Sequence, residues 1–573
     1  MQERIARLIP ALRASRSFGL LDRLRARVEE LSPGDAAILG ALGVLLAVTS
    51  LIGVYALVRS VQISIPADGG ILVEGELGSP RFVNPLLAVS DADRDLASLT
   101  YAGLMGLGAE GNLIPVLAES YSVSEDGKEY TFVLRNDLVW SDGAPITADD
   151  VAFTVGKAQD AALKSPELAN WSGVKTEALD ARTVRFTLGK PYAPFLANAT
   201  LGILPAHLWR GISTEDFPFS TLATEPVGAG PFIFSKIVRG DNGIIREYDL
   251  SANPAYALGR PHLDGIRFVF YSQADDLKSA VRGGAVESAY GVPAQGALMA
   301  PYASVFGVFF NPNQNAALAR LEVRKALSLA IDREYLTKQV LGGYAAPIMG
   351  PVPPGSGING TTVPALADRI STAAGTLTAA GWAYDPEARL WTQASAKLTL
   401  TMTLKTSNVP ELKAVAAAVK ADWEKLGVPT DIELYEPGDL SQNVIRPRKY
   451  DALLFGMVVG RERDLFAFWD SSQRNDPGLN IALYANKTAD QLLESSRQES
   501  DPAKRLAALQ KIDSAIAADY PAAFTHAPDF LYVVPQKLQG VSLPQISTPA
   551  DRFAGVAGWY VESQYVWPFL VRQ

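Results

Sequence analysis

The chain has 573 residues, 48% of them apolar and 20% charged, with a formal net charge of −9 and no cysteine. That length exceeds what one hydrophobic core organises, so two or three domains are expected. Without cysteine there are no disulfides, thiolate metal sites, cysteine nucleophile or lipid-modified cysteine, and the acidic balance argues against nucleic acid as a partner.

The first element in chain order is residues 36–58, AAILGALGVLLAVTSLIGVYALV, 23 positions without a charge and long enough to cross the hydrocarbon layer as a helix. Seven arginines (Arg4, Arg7, Arg13, Arg16, Arg23, Arg25, Arg27) precede it against five acids (Glu3, Asp22, Glu29, Glu30, Asp35). An arginine excess favours the cytoplasmic side. Residues 1–35 are therefore expected inside, residues 36–58 across the membrane and the rest outside. The long leader and the lack of a clean A-x-A site directly after the apolar run favour an uncleaved anchor over a cleaved signal peptide. Subtracting the +2 of this N-terminal piece from −9 leaves −11 for residues 59–573.

A tether, residues 59–68, leads to ILVEGEL (71–77), which reads as a strand. Ser90 with Asp93 three residues on forms a capping signal for a helix over 91–105, with Leu96, Leu99 and Leu104 on its apolar side. In YSVSEDGKEYTFVLR the apolar residues alternate around Asp126-Gly127, a hairpin signal. WSDGAPITADDVAFT (140–154) gathers three aspartates, yet each has a structural task. Asp142-Gly143 turns, Pro145 delays the helix, Thr147 is placed to cap it by accepting from the Asp150 amide, and Asp149 and Asp150 suit its positive end. The stretch is a corner and not a catalytic cluster. A second hairpin spans 230–250, a strand 266–271 and a helix 322–343. From Leu398 strand, helix (411–426), strand and strand (450–459) imply parallel βαβ packing, and Asp501-Pro502 opens a last helix to Asp519.

Signals of reaction chemistry are absent from the sequence. Three scattered histidines, His207, His262 and His526, show no metal-ligand spacing and read as surface or packing residues. GLGAEG (106–111) matches G-x-G-x-x-G but follows a helix, which removes the strand a dinucleotide turn requires. The loop RERDLFAFW (461–469) follows the apolar run YDALLFGMVV, where ligands collect beyond the carboxyl ends of strands in open α/β sheets. There Asp464 suits an ammonium, Arg461 or Arg463 a carboxylate, and Trp469 a side chain or sugar face. The alternative is a solvated loop whose charges pair with one another.

NPLLA (84–88), YAGL (101–104), LIPVLAESYSVSEDGKEYTFVLRNDLVWSDGAPITADDVAFT, PVGAGPF (226–232), EVRKALSLAIDRE, LTAAGW (377–382) and FWDSSQRNDPGLNIALYAN (468–486) occur in this order. The set resembles the solute-binding proteins of oligopeptide and dipeptide ABC transporters, family 5, over most of residues 69–535. The resemblance implies a bilobal type II periplasmic-binding-protein fold, two α/β lobes with a hinge and an extra subdomain in lobe 1, here preceded by one transmembrane helix. Lobe 1 is expected over 69–305, lobe 2 over 306–529, and a return to lobe 1 over 530–573. By the same resemblance the protein is no enzyme. It binds peptides extracytoplasmically, needs no cofactor or metal, works as a monomer, and delivers its ligand to a membrane permease with cytoplasmic ATPases. Asp464 is the counterpart of the family aspartate that takes a peptide amino terminus. Arg461, Arg463, Trp469, Asn84 and Asn480 complete the expected ligand set. The arginines flanking Asp464 depart from the family pattern and admit an anionic ligand, and Ala229 stands where threonine is common. An oligosaccharide, a metal chelate, or a membrane-anchored sensor without a transporter are the alternative readings. A hydrolase lacks any nucleophile–base pair.

Overall fold

A computed structural model describes Arg27, residues 32–365 and residues 368–570. Most of the expected basic segment 1–35 thus lies outside the described residues. Helix α1 (Pro33–Val61) extends the apolar run at both ends, with the Ser32 hydroxyl accepting from the Asp35 amide, Pro33 in the first turn and Arg59 in the last. Its mean hydropathy peaks at 2.4 and none of that window is buried, so it is long and apolar enough to cross a membrane. Strand β1 (Ile63–Ala67) follows and pairs antiparallel with the chain's last strand, Glu562–Val566. These elements form one compact unit, and Asp68–Val561 forms another. Residues 562–566, within the span expected to return to the first lobe, thus pair with the tether strand.

In the second unit the elements used below are β2 (Ile71–Leu77), α2 (Asp91–Thr100), β3 (Ala118–Val123), β4 (Glu129–Leu134), α3 (Ala148–Ala158), β5 (Lys175–Ala178), β6 (Thr183–Thr187), β7 (Phe232–Arg239), β8 (Ile245–Ala252), β9 (Gly265–Tyr271), β10 (Ser288–Tyr290), β11 (Ser304–Phe310), α4 (Leu321–Ala330), β12 (Met402–Ser407), α5 (Pro410–Leu426), β13 (Thr430–Tyr435), β14 (Ala452–Val458), α6 (Lys487–Gln498), α7 (Pro502–Asp519) and β15 (Ala522–Val533). The terminal strand Glu562–Val566 is β16.

One sheet runs through the unit in the order β13-β12-β14-β11-β15-β10-β2-β9-β8-β7. β12 lies parallel to β13 and β14, with α5 between β12 and β13 in sequence, as the βαβ pattern predicts. β15 serves both ends of the sheet: residues 522–526 pair with β11, and residues 529–533 pair with Leu298–Pro301 and β10. A separate four-stranded sheet, β3-β4-β6-β5, contains the expected hairpin, whose Gly127 takes φ +67° at the turn. Two apolar clusters flank the β11–β14 end of the sheet, and others fill the space around β2 and the β3–β6 sheet.

The aspartates of 140–154 fasten the corner to residues 206–210. Asp142 accepts from Ala144 N (3.0 Å) and faces His207 Nε2 at 2.8 Å, Asp149 pairs with Arg210, and the buried Asp150 accepts from Ala206 N at 2.8 Å. The cap differs in detail from expectation: the Asp150 carboxylate accepts from Thr147 N (2.8 Å), and the Thr147 hydroxyl donates to it. The helix expected over 322–343 stops at Ala330, because Ile331 is extended (ψ 126°) and Asp332 caps a new short helix over Arg333–Tyr335. The helix expected over 91–105 ends at Thr100, where Tyr101 turns extended.

Fully buried Arg552 lies 2.9 Å from Glu74 Oε1 on β2 and 2.5 Å from Asp95 Oδ2 on α2. Ser288 and Tyr532 hydroxyls donate to the other Glu74 oxygen. Glu76 is buried beside them with no hydrogen-bond partner on either oxygen. Burial and then the Asp95 charge push its carboxyl well up, and burial pushes Asp95 up to about 6 against the pull of Arg552. An acid whose folded pKa exceeds its unfolded value lowers stability as pH rises between the two. Glu76→Gln is accordingly expected to raise the urea midpoint at pH 8, with an advantage over the parent that shrinks toward pH 5. A pH-independent difference between the two proteins would contradict this account.

Candidate functional site

The loop beyond β14 turns at Gly460 (φ +74°) and again at Arg463, a non-glycine residue at φ +54°. Asp464 Oδ1 then accepts from Phe466 N at 3.1 Å, a local turn that starts the short helix Phe466–Trp469. β14 belongs to the β11–β14 end of the sheet, yet both arginines of the loop find their partners outside that end, while its two acids face arginines on α6 and α7.

Arg461 Nη2 lies 2.8 Å from Asp551 Oδ2, with these side chains only 20% and 17% exposed, and its Nη1 donates to Gly111 O at 3.1 Å. Asp551 is itself fixed, accepting from Ser547 N (2.7 Å) and Thr548 N (3.1 Å). Gly111, the last glycine of GLGAEG, takes φ +84°, and a Cβ there would meet Pro544 at 2.7 Å. The motif thus serves backbone geometry at this contact. Arg463 Nη2 donates to Gln545 Oε1 at 3.0 Å. Glu462 faces Arg505 at 3.7 Å, and burial raises its carboxyl. Asp464 Oδ2 pairs with Arg497 Nε on α6 at 3.0 Å and accepts from the Tyr192 hydroxyl at 3.3 Å. The Arg497 guanidinium covers the Phe466 ring at 4.4 Å and the Tyr192 ring at 5.0 Å. Burial, followed by the Asp464 charge, pushes the Tyr192 phenol up to about 12. A cleft of about 370 Å3 opens beside Tyr192 and Arg497.

The structure thus gathers Arg461, Arg463 and Asp464, while the other expected ligand residues are framework. Trp469, expected to line a pocket, is fully buried among Phe309, Tyr484 and Phe524, with ring centroids at 6.1, 6.0 and 5.7 Å. Buried Asn480 donates to Asp470 O (3.0 Å) and Tyr484 O (2.9 Å) and accepts from Tyr484 N (3.0 Å), knitting its own loop. Buried Asn84 accepts from Leu86 N at 2.9 Å in a tight turn.

Of the three histidines read as surface or packing residues, His526 packs at the joint of the sheet. His526 on β15 is fully buried, its ring stacked on Phe306 at 4.8 Å, and its Nε2 has no hydrogen-bond partner. Burial pushes its pKa down to about 4, so the ring is neutral at pH 7. The half-exposed Glu411 carboxylate approaches Nε2 at 3.9 Å. A lone histidine with no spacing partner carries no sequence signal, and only the pairing of β15 with β11 brings Phe306 against it. Among the described residues no group of three or more His, Asp or Glu side chains is arranged to hold a metal.

Residues 112–476 match the family model of bacterial extracellular solute-binding proteins, family 5 (middle). The chain belongs to this family. Among its relatives, protein XP55 of Streptomyces lividans is 28% identical over 502 residues, 83% of this chain and 88% of that protein. The oligopeptide-binding protein AppA of Bacillus subtilis is 27% identical over 493 residues, 83% of this chain and 89% of that one. Among solved structures, the ABC transporter substrate-binding protein CtaP of Listeria monocytogenes superposes with a TM-score of 0.72 at 26% identity, covering 86% of this chain and all of that one. The α/β architecture described above is therefore the periplasmic-binding-protein fold, preceded by an apolar helix. In this solute-binding protein the loop at 461–464 joins two parts of the fold through partly buried charge contacts.

Removing Arg461 deletes both the ion pair and the bond to Gly111, a loss on the order of 1–3 kcal/mol for a partly desolvated pair. Arg461→Ala is expected to increase the ligand-free radius of gyration measured by small-angle scattering. An unchanged scattering curve would show that these contacts do not hold the halves together.

Proposed function

We propose that the protein is the membrane-anchored, extracytoplasmic binding component of an ABC transporter and that its ligands are peptides. The observation that carries the reading is the family match over residues 112–476 together with 27% identity to an oligopeptide-binding protein across 83% of the chain. Residues 1–35 are cytoplasmic, 36–58 cross the membrane, 59–68 form a tether, and the lobes comprise 69–305 with 530–561 and 306–529, residues 562–566 pairing with the tether. The hinge lies where the chain passes at 301–304 and 526–529, and ligand sits between the lobes. The monomer performs no chemical step of its own and hands its ligand to a membrane permease with cytoplasmic ATPases.

Within this reading Asp464 meets a peptide amino terminus. Its carboxylate already faces Arg497 and Tyr192, so an incoming ammonium takes over part of the role of the Arg497 guanidinium. Closure then favours ligands whose contacts are better in the closed state than in the open one.

The primary test is native mass spectrometry of purified residues 66–573 before and after gentle denaturation, to identify co-purified small molecules. A set of masses fitting short peptides is expected; a single mass fitting a sugar or a chelate would overturn the peptide assignment. A second measurement compares binding of one peptide with a free and with an acetylated amino terminus. Asp464→Ala is expected to weaken the free-amine form by about ten-fold, equivalent to about 1.4 kcal/mol, and to leave the acetylated form nearly unchanged. Equal loss for both forms would remove Asp464 from amine recognition.

A further inference from the structure

The anchor unit has a feature that the solute-binding reading does not use. β16 pairs with β1 in antiparallel register, Ile63 opposite Val566 through Ala67 opposite Glu562. β1 starts two residues after α1 ends, so the chain beyond Val566 runs back toward the C-terminal end of the apolar helix. The contact is direct: the Arg59 guanidinium, in the last turn of α1, lies 3.4 Å above the Tyr565 ring and donates through Nε to the Tyr55 hydroxyl at 3.3 Å. Immediately beyond Tyr565 come Val566, Trp567, Pro568 and Phe569. The Trp567 and Phe569 rings stack at 6.0 Å, and Phe569 remains 79% exposed.

In water this arrangement leaves apolar surface uncovered, which is unfavourable. At the end of a membrane helix the same residues are matched to their surroundings. Tryptophan and tyrosine concentrate at the headgroup level of bilayers, and an arginine stem packs along apolar groups while its charge reaches water. Tyr55, Arg59, Tyr565, Trp567 and Phe569 form such a belt from two separate parts of the sequence.

We infer that residues 565–570 are a second membrane contact: Trp567 and Phe569 insert into the headgroup region of the outer leaflet crossed by α1. The inference rests on the anchored reading of α1 given above. Its consequence is that the chain entering the binding domain at residue 68 and the chain leaving it at residue 561 are both tied to the bilayer through one two-stranded stalk. Membrane attachment then holds the domain at both chain connections, which limits its reach more than one flexible tether would.

Because the sequence has no cysteine, a single introduced thiol labels one position only. Full-length Leu51→Cys, Ser563→Cys and Pro568→Cys variants would be labelled with a nitrobenzoxadiazole fluorophore and reconstituted into phosphatidylcholine vesicles. These vesicles would carry lipid with a nitroxide either at the headgroup or deep in the acyl chain. Ser563 and Pro568 are both exposed and roughly 17 Å apart along an extended chain, so they act as a ruler. Position 51 is expected to be quenched by the deep nitroxide, and position 568 by the headgroup nitroxide several-fold more than position 563. Trp567→Ser combined with Phe569→Ser is expected to bring position 568 down to the level of 563. Quenching at 51 with none at 568 would overturn the second contact and leave the anchor standing. No quenching at 51 would overturn both.

Discussion

Strand β15 has to satisfy hydrogen-bonding partners in both ends of one sheet, and the rest of the fold is arranged around that demand. Buried backbone groups must be paired, and along residues 522–526 β11 supplies the partner, whereas from residue 529 Leu298–Pro301 takes over. The change of partner falls at Ala527-Pro528. Proline has no amide hydrogen to leave unpaired there, so a residue normally confined to edges and bulges is acceptable in the middle of this strand. Its carbonyl still accepts from Tyr302 N at 3.3 Å, on the other segment that passes between the two ends of the sheet. On its other side the same stretch, His526 to Pro528, pairs antiparallel with Ala345–Pro347.

A second constraint holds the last part of the binding domain in place. Arg552 reaches back more than 450 residues in sequence to Glu74 and Asp95, with its guanidinium over the Phe553 ring at 4.1 Å and the Tyr290 ring at 4.8 Å. Three buried carboxyl groups around one guanidinium do not balance in charge, and the unpartnered Glu76 is the group that burial drives to the neutral form. Buried ionic clusters contribute little net stability compared with a well-packed apolar core, but removing one member leaves the others uncompensated. The cluster therefore fixes where residues 549–559 return against β2 and α2, immediately before the chain turns toward β16.

Much of this architecture was legible in the sequence where the determining contacts are local. The Asp126-Gly127 hairpin, the proline-started helix α7, the parallel β12–α5–β13 unit and the corner at 140–154 follow from period, turn chemistry and caps within a dozen residues. Legibility failed where distant packing decides. Nothing near Trp469 announces that Phe309 and Phe524 enclose it, and nothing in RERD points to Gly111 or Asp551. The break after Ala330 was hidden because its apolar spacing continues across Ile331 while the backbone leaves the helix. The family resemblance pointed to the loop at 461–464, but the side-chain partners on that loop required the assembled sheet.

Those partners change what the loop's charges can contribute to binding. Arg461, Arg463 and Asp464 already have counterparts within the protein, so a charged ligand would exchange one partly desolvated contact for another. Free energy of binding then has to come from groups without protein partners, such as ligand backbone hydrogen bonds and apolar surface removed from water on closure. Both are largely independent of ligand side-chain charge. A loop bearing two arginines beside an aspartate is therefore compatible with a tolerant peptide binder, because its charges already have partners within the protein.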